Sequence, residues 1–440
     1  MIITFTIENW MSFKDEVSFS MVASREKQHG HRIPRVKKFP VRILPVTALY
    51  GGNASGKSNF FKALEFAKNL VVEGTKPDEM IPVEPFLLDD DCLEKPSRFK
   101  FELLINELIY EFSFSVTRDA VVEEKLVEIN STKEKILYSR KGKKYKINVS
   151  EKGKRKDFLK YVSEGTDNKQ LFLTNSISQN VDKFRLVYNW FRDILTLVGP
   201  STKVGSHYST NEYISDLMGS MLERLDTGIS TLAVEEIKID QLGRSDVENR
   251  RLFKYLENNS DSIIFSKLGC TLNIEGEEAY LTTKRRVALH KKANGTTIKF
   301  EIDKESDGSQ RVIDLLPMFM QISPSDFNKV YIIDEIDRSL HTLLTRQLLE
   351  FYLDNCSEKS RSQLLFTTHD VLLMDQDLLR RDEMWVAERD NEGSSDIVSL
   401  GEYKDIRNDK DIRKSYLQGR FGGVPRILLN SSIINQQETD

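Results

Sequence analysis

The chain has 440 residues, 39% hydrophobic and 30% charged, a balance that suits a globular protein with a polar surface and leaves room for one large domain with an insertion or for two ordinary domains. Its net charge of −4 gives no global pull on nucleic acid, so any such contact must be local. No run of about 18 apolar residues occurs, which excludes a membrane-spanning helix. Three cysteines, Cys92, Cys270 and Cys356, stand far apart with neither metal spacing nor a disulfide framework. Met1–Ile7 lacks the basic and apolar regions of a leader, so a cytoplasmic protein is expected.

Ile3, Phe5 and Ile7 alternate with Thr4, Thr6 and Glu8, the pattern of a strand, and Ser18–Val22 reads as its hairpin partner. Ile43–Tyr50 is mostly apolar and predicts a buried strand. Gly51-Gly52-Asn53-Ala54-Ser55-Gly56-Lys57-Ser58 follows and matches G-x-x-x-x-G-K-[ST] at every fixed position. Phe60, Leu64, Ala67 and Val71 then share a helical face. Strand, glycine turn and helix make a phosphate cradle: backbone N–H groups point inward and the helix N-terminus adds partial positive charge. Lys57 would reach the β- and γ-phosphates and Ser58 would hold Mg²⁺, with Gly51, Asn53, Ser55, Gly56 and Asn59 completing the nucleotide contacts.

Pro77–Pro96, with Asp89-Asp90-Asp91, reads as a surface loop, and 98–130 alternates at period two as several antiparallel strands. Residues 133–156 hold eleven lysines and arginines against Glu134 and Glu151, with Tyr138 and Tyr145 interleaved: a candidate nucleic-acid contact, or a solvated basic hairpin. Lys284-Arg285-Arg286 with Lys291-Lys292 forms a smaller cluster. Gln179, in Leu171–Gln179, which is read as following an apolar strand, is a candidate contact to the terminal phosphate, or an ordinary surface glutamine. Helices are expected over Leu186–Val198 and Ile214–Leu225, strands around 262–302, and alternating helix and strand from 311 to about 390.

Val330–Ile333 ends in Asp334-Glu335. Such a strand delivers carboxylates to a metal nucleotide, Asp334 for Mg²⁺ and Glu335 as general base for the attacking water. Asp334 lies 277 positions beyond Lys57, a gap that fits an ATPase head split by an insertion. Ser306, Gly308 and Gln310 open a helix 28 positions before Asp334, counted from Ser306, a second anion site or an ordinary N-cap. His369 follows the apolar strand Leu364–Thr368 and stands 35 positions beyond Asp334.

The order P-loop, Ser-x-Gly-x-Gln, Asp-Glu, Thr-His resembles ABC-type ATPases of the SMC/RecF branch, as does the opening Ile7-Glu8-Asn9-Trp10-Met11-Ser12-Phe13. Glu305–Arg311, Asp334–Asp337, Leu340-His341 and the tail Gly419–Pro425 are similar to the AAA15/OLD-like ATPases of anti-phage systems such as Septu, PARIS and abortive-infection pairs. The motif resemblance spans roughly 1–70 and 300–425. It implies an α/β ABC/SMC-type head with an antiparallel N-terminal β-subdomain and a mainly helical insertion around 185–260. The domain reading is 1–130 and 301–440 for the head, 131–160 for the basic segment and 161–300 for the insertion.

The resemblance also implies ATP and Mg²⁺ as ligands and a head-to-tail homodimer or larger homo-oligomer. In such a dimer Ser306, Gly308 and Gln310 meet the γ-phosphate of the other subunit, and His369 is the switch histidine. Asp307 stands where the wider signature has glycine. Only 71 residues follow His369, too few for a fused Toprim nuclease, so a separate effector, a nuclease in kind, is the expected partner. A stand-alone DNA-binding ATPase of repair or chromosome maintenance is the alternative.

Overall fold

Strand and helix follow the hydrophobic pattern closely in the computed structural model, which describes residues 1–76, 78–131, 133–148, 154–202, 212–237, 263–265, 270–275, 280–322, 328–403 and 411–424. In chain order the strands are β1 (Ile2–Glu8), β2 (Val17–Ser20), β3 (Val46–Tyr50), β4 (Ser97–Ile105), β5 (Leu108–Val116), β6 (Val121–Asn130), β7 (Lys133–Lys141), β8 (Lys144–Ile147) and β9 (Leu195–Val198). They continue with β10 (Thr231–Ile237), β11 (Ile263–Phe265), β12 (Cys270–Glu275), β13 (Tyr280–Lys291), β14 (Thr297–Glu301), β15 (Val330–Ile333), β16 (Gln363–Thr368), β17 (Met384–Arg389) and β18 (Ser395–Ser399). The helices that matter here are α1 (Lys57–Val72), α2 (Phe172–Ser178), α3 (Glu212–Arg224), α4 (Asp307–Ile322), α5 (Thr342–Asp354) and α6 (Ile412–Leu417).

The chain divides into two units. The first comprises Met1–Leu197, Asn328–Asp334 and Cys356–Asp440, the second Val198–Phe327 and Glu335–Asn355. In the first, β2-β1-β4-β5-β6-β7-β8 form an antiparallel sheet. A second sheet runs β18-β17-β3-β16-β15-β9, with β17, β3, β16 and β15 mutually parallel. β3, β15 and β16 are buried along their whole length, as parallel strands covered on both faces must be.

Helix α1 is fixed by aromatic contacts to the antiparallel sheet. Phe60 meets Phe5 and Phe19 at centroid distances of 5.5 and 5.4 Å, and Phe66 meets Trp10 and Phe99 at 4.9 and 5.1 Å. Such pairs add roughly 0.5–1.5 kcal/mol each beyond area burial. The opening motif has its reason here. Asn9, at φ 53°, donates to the carbonyls of Cys92 and Lys95 and accepts from the Phe86 N–H. It thereby folds the 86–97 segment onto the sheet. The expected loop Pro77–Pro96 is less loop-like than its composition suggests: Ile81, Val83 and Phe86 are buried, and Asp89 caps a helical turn over Asp90–Leu93.

The second unit holds a five-stranded antiparallel sheet, β10-β13-β12-β11 with β14 on β13, together with α3, α4 and α5. Along 185–260, the first expected helix, Leu186–Val198, is cut short: Arg185–Asn189 runs on as a π-turn over Trp190–Ile194 and Leu195–Val198 is strand β9, while the second occurs as α3 and is followed by β10. Residues 238–260 of this stretch lie outside the described residues. Among the described residues no helix is long and apolar enough to cross a membrane.

Candidate functional site

The P-loop leaves the C-terminal end of β3 and enters α1 at Lys57. Gly51 has φ 155°, Ala54 61° and Gly56 110°. A Cβ on Gly51 would lie 2.6 Å from the Ala387 carbonyl oxygen, and one on Gly56 would lie 2.6 Å from Ser395 Oγ. Both positions need glycine for conformation and for space. Ser12 ties this corner together: its Oγ accepts from Asn59 Nδ2 and from Ser395 Oγ, each at 2.9 Å, while Trp10 Nε1 donates to the Asn59 carbonyl.

Lys57 is 5% exposed and its ammonium donates to the carbonyls of Gly51 and Gly52 at 2.7 and 3.0 Å. The hydroxyl of Ser55 is buried within the loop without a hydrogen-bond partner. Ser58 and Asn53 are exposed and Asn59 is half-buried. A glycine cradle at a helix N-terminus, an ammonium at its centre and an orphaned hydroxyl fit a polyphosphate.

Sheet order brings the acidic end to the same edge. β16 lies between β3 and β15, in parallel register Leu365↔Thr47 and Ile332↔Leu365. Asp334 follows β15, is 4% exposed, and accepts a 2.6 Å hydrogen bond from Thr367 Oγ1 on β16. That bond orients the carboxylate. Thr367 was not singled out from sequence, although its place in the Thr-Thr-His run two residues before His369 was a usable signal. His369 follows β16 and is exposed. Lys57, Ser58, Asp334 and His369 thus belong to neighbouring strand ends of one parallel sheet.

The remaining candidates divide. Glu335, directly after Asp334, is half-buried in a left-handed conformation, φ 51°, and Ser339 shares that conformation at φ 60°. Non-glycine residues in this region carry a cost of order 1–3 kcal/mol and concentrate at functional turns. In the second unit Ser306 Oγ accepts from the Ser309 N–H at 3.1 Å, which makes it the N-cap of α4. Gln310 turns back to donate to the Glu305 carbonyl. Gly308 packs against the turn that precedes α5, where a Cβ would lie 2.7 Å from the Ser339 carbonyl oxygen. Glycine is required there for close approach.

Gln179 differs from expectation. Leu171–Gln179 is not a strand: α2 occupies it, with Gln179 exposed as its C-cap. Thr174 of α2 donates to the Val71 carbonyl, so α2 docks at the end of α1 opposite the P-loop, on a helix about 24 Å long. Periodicity could not separate these readings, because Leu171–Ile177 is buried on every side.

The basic segment is also rearranged. Tyr138 is buried and donates to Glu124 at 2.7 Å, and Tyr145 packs on Phe172 at 5.4 Å, so neither ring is offered to bases. Arg140 is buried and donates to the carbonyls of Gly142, Gln170, Asp167 and Asn168. Lys133, Lys135, Lys143, Lys144 and Lys146 are exposed, and exposed Lys141 pairs with Glu123. Lys152, the side chains of Lys154, Arg155 and Lys156, and Pro425 lie outside the described residues. In the smaller cluster Arg286 is buried, and burial pushes its guanidinium down to about 10 against the opposing charge of Asp314.

A family model described as "AAA domain, putative AbiEii toxin, Type IV TA system" matches residues 46–375. No curated protein matches the chain. Among solved structures, the chain is similar to an SMC head bound to the C-winged helix domain of ScpA, at 14% identity and TM-score 0.41, covering 90% of this chain and 97% of that one. It is also similar to the SMC head domain from Thermotoga maritima, at 14% identity and TM-score 0.32, covering 90% of this chain and 98% of that one.

Proposed function

The chain belongs to the AAA-domain family of the AbiEii-toxin kind, and from that premise we propose that it binds ATP with Mg²⁺, hydrolyses it, and through ATP-sandwiched dimers regulates a separate nuclease-like effector in anti-phage defence. The observation that carries the ATPase reading is the P-loop of β3–α1 at the same sheet edge as Asp334, which Thr367 holds in place. Lys57 exchanges the Gly51 and Gly52 carbonyls for the β- and γ-phosphate oxygens. Ser58 Oγ and the Asp334 carboxylate would hold Mg²⁺, which would supply neutralisation of the phosphate charge. Glu335 takes the proton of the attacking water, and His369 donates to the terminal phosphate. Ser306, Gly308 and Gln310 present the N-terminus of α4 to the nucleotide of a second copy.

The exposed lysines of β7 and β8 favour, as a second reading, an ATPase that acts on DNA without an effector. Turnover stimulated by DNA in the isolated protein, lost on reversing the charge of Lys135, Lys143, Lys144 and Lys146, would select it.

The test of the first reading is paired. Glu335→Gln should retain ATP binding while turnover falls by roughly 10²–10⁴, the usual contribution of a general base. Lys57→Ala should lose binding itself. Wild-type turnover in Glu335→Gln would remove that residue from the mechanism. Absence of ATP binding in the wild-type chain would remove the function.

A further inference from the structure

Strand β3 has β16 on one side and β17 on the other. Asp334 and His369 follow strands on the β16 side, which leaves the β17 side of the P-loop for the nucleoside of a nucleotide whose terminal phosphate faces them. A cavity of about 540 Å³ lies there, within the range of small-molecule sites. It is lined by Gly52, Asn53 and Ser55 of the P-loop, by the turn Glu388–Asn391 that ends β17, and by the strap that follows α6.

The strap, Gly419–Gly423, is built into place. Phe421 is buried and its ring packs on Tyr403 at 5.1 Å. The Gly423 carbonyl accepts from Tyr416 Oη at 3.0 Å and from the P-loop N–H of Gly52 at 2.8 Å. Gly422 and Gly423 have φ 72° and 69°. A Cβ on Gly423 would press into Val386 Cγ1 and lie 3.0 Å from the Ala387 carbonyl oxygen, whereas one on Gly422 would displace the Glu388 carboxylate. The two glycines therefore let the strap close against the end of β17.

One guanidinium, Arg389, also lines this wall, its Nε donating to the Gly393 carbonyl at 3.0 Å, so carboxylates outnumber cations there. Glu388 and Asp390 would repel phosphate oxygens but accept from ribose hydroxyls, and the amides of Asn391 and Gln418 suit the donors and acceptors of a base edge. We infer that the strap Gly419–Gly423, with Glu388–Asn391, is the nucleoside-recognising wall of the nucleotide site. This rests on the ATP reading above.

The test is displacement of fluorescently labelled ATP from the full chain, in Mg²⁺, by ATP and by inorganic tripolyphosphate. Wild type should prefer ATP, and that preference should fall by about tenfold or more in Gly423→Ala and in Glu388→Ala, the loss of a charged hydrogen-bond acceptor. Glu388 is exposed, so its variant leaves the core intact. Equal affinity for the two competitors in wild type, or a preference unchanged in both variants, overturns the assignment. So does equal weakening of both competitors in Gly423→Ala with Glu388→Ala unaffected, since the strap would then serve the phosphates through Gly52. Failure of wild type to bind labelled ATP at all takes down the ATP reading as well.

Discussion

Gly56 and Gly142 both have positive φ, 110° and 55°, but only Gly56 is enclosed. A Cβ on Gly56 meets Ser395 Oγ and Cβ at 2.6 and 2.8 Å and Ser12 Oγ at 3.2 Å, whereas nothing lies within 4 Å of one on Gly142. Gly142→Ala should cost about 1 kcal/mol, the left-handed penalty alone. Gly56→Ala adds overlap with the Ser12–Ser395 corner and should cost roughly 2–4 kcal/mol and abolish nucleotide binding. Thermal denaturation of the two variants side by side checks the difference; equal losses would mean that packing at Gly56 contributes nothing. The motif exposed Gly56 in the sequence, but Ser395 as its neighbour could not be found there, because 339 positions separate them.

At the scale of elements, two buried charges join segments distant in sequence. Glu124 on β6 accepts from the N–H groups of Phe172 and Leu173 at 2.6 and 2.9 Å, capping α2, with Arg140 Nη1 3.9 Å away. Removing one partner of such a buried pair typically costs about 3–5 kcal/mol. Arg140→Ala should therefore lower stability by that order in urea unfolding while leaving any nucleic-acid affinity unchanged. A selective loss of affinity without loss of stability would restore Arg140 to the binding surface.

Glu383, wholly buried, accepts from Arg32 Nη2 at 2.5 Å, and burial pushes its carboxyl up to about 7 against the pull of that guanidinium. A carboxyl whose folded value lies above its ordinary 4.5 contributes stability that is complete below that value and is lost as pH rises through about 7. Urea midpoints should accordingly fall between pH 5 and 8 in wild type, and this slope should be missing in Glu383→Gln, whose amide oxygen can still accept from Arg32. An unchanged slope in the variant would assign the pH dependence to other groups.

For the whole molecule, the expected consequence of the site is association. Glu335→Gln, which should hold ATP without cleaving it, is expected to double in mass by light scattering in ATP and Mg²⁺ and to revert when nucleotide is removed. Gly308→Leu should block this, because a side chain there meets the Ser339 carbonyl and disturbs the start of α4. Glu335→Gln that stays monomeric at saturating ATP would end the dimer reading.

The amino-acid sequence by itself determined β1, β3 and α1, the P-loop between them, the Asp334 strand and the N-cap at Ser306, because each is written within a few consecutive residues by alternation, glycine placement or capping. Tertiary structure alone decided the rest. It made Leu171–Gln179 a helix, since the apolar run Leu171–Leu173 is too short to carry a period and the polar Thr174, Asn175 and Ser176 that follow it are buried as well, and it turned Tyr138 and Arg140 inward, since charge density says nothing of direction. It placed β16 between β3 and β15, so that Thr367 reaches an aspartate 33 positions away, and it laid Gly423 on the N–H of Gly52. Those contacts depend on sheet order and on burial of the intervening chain, which no local pattern encodes.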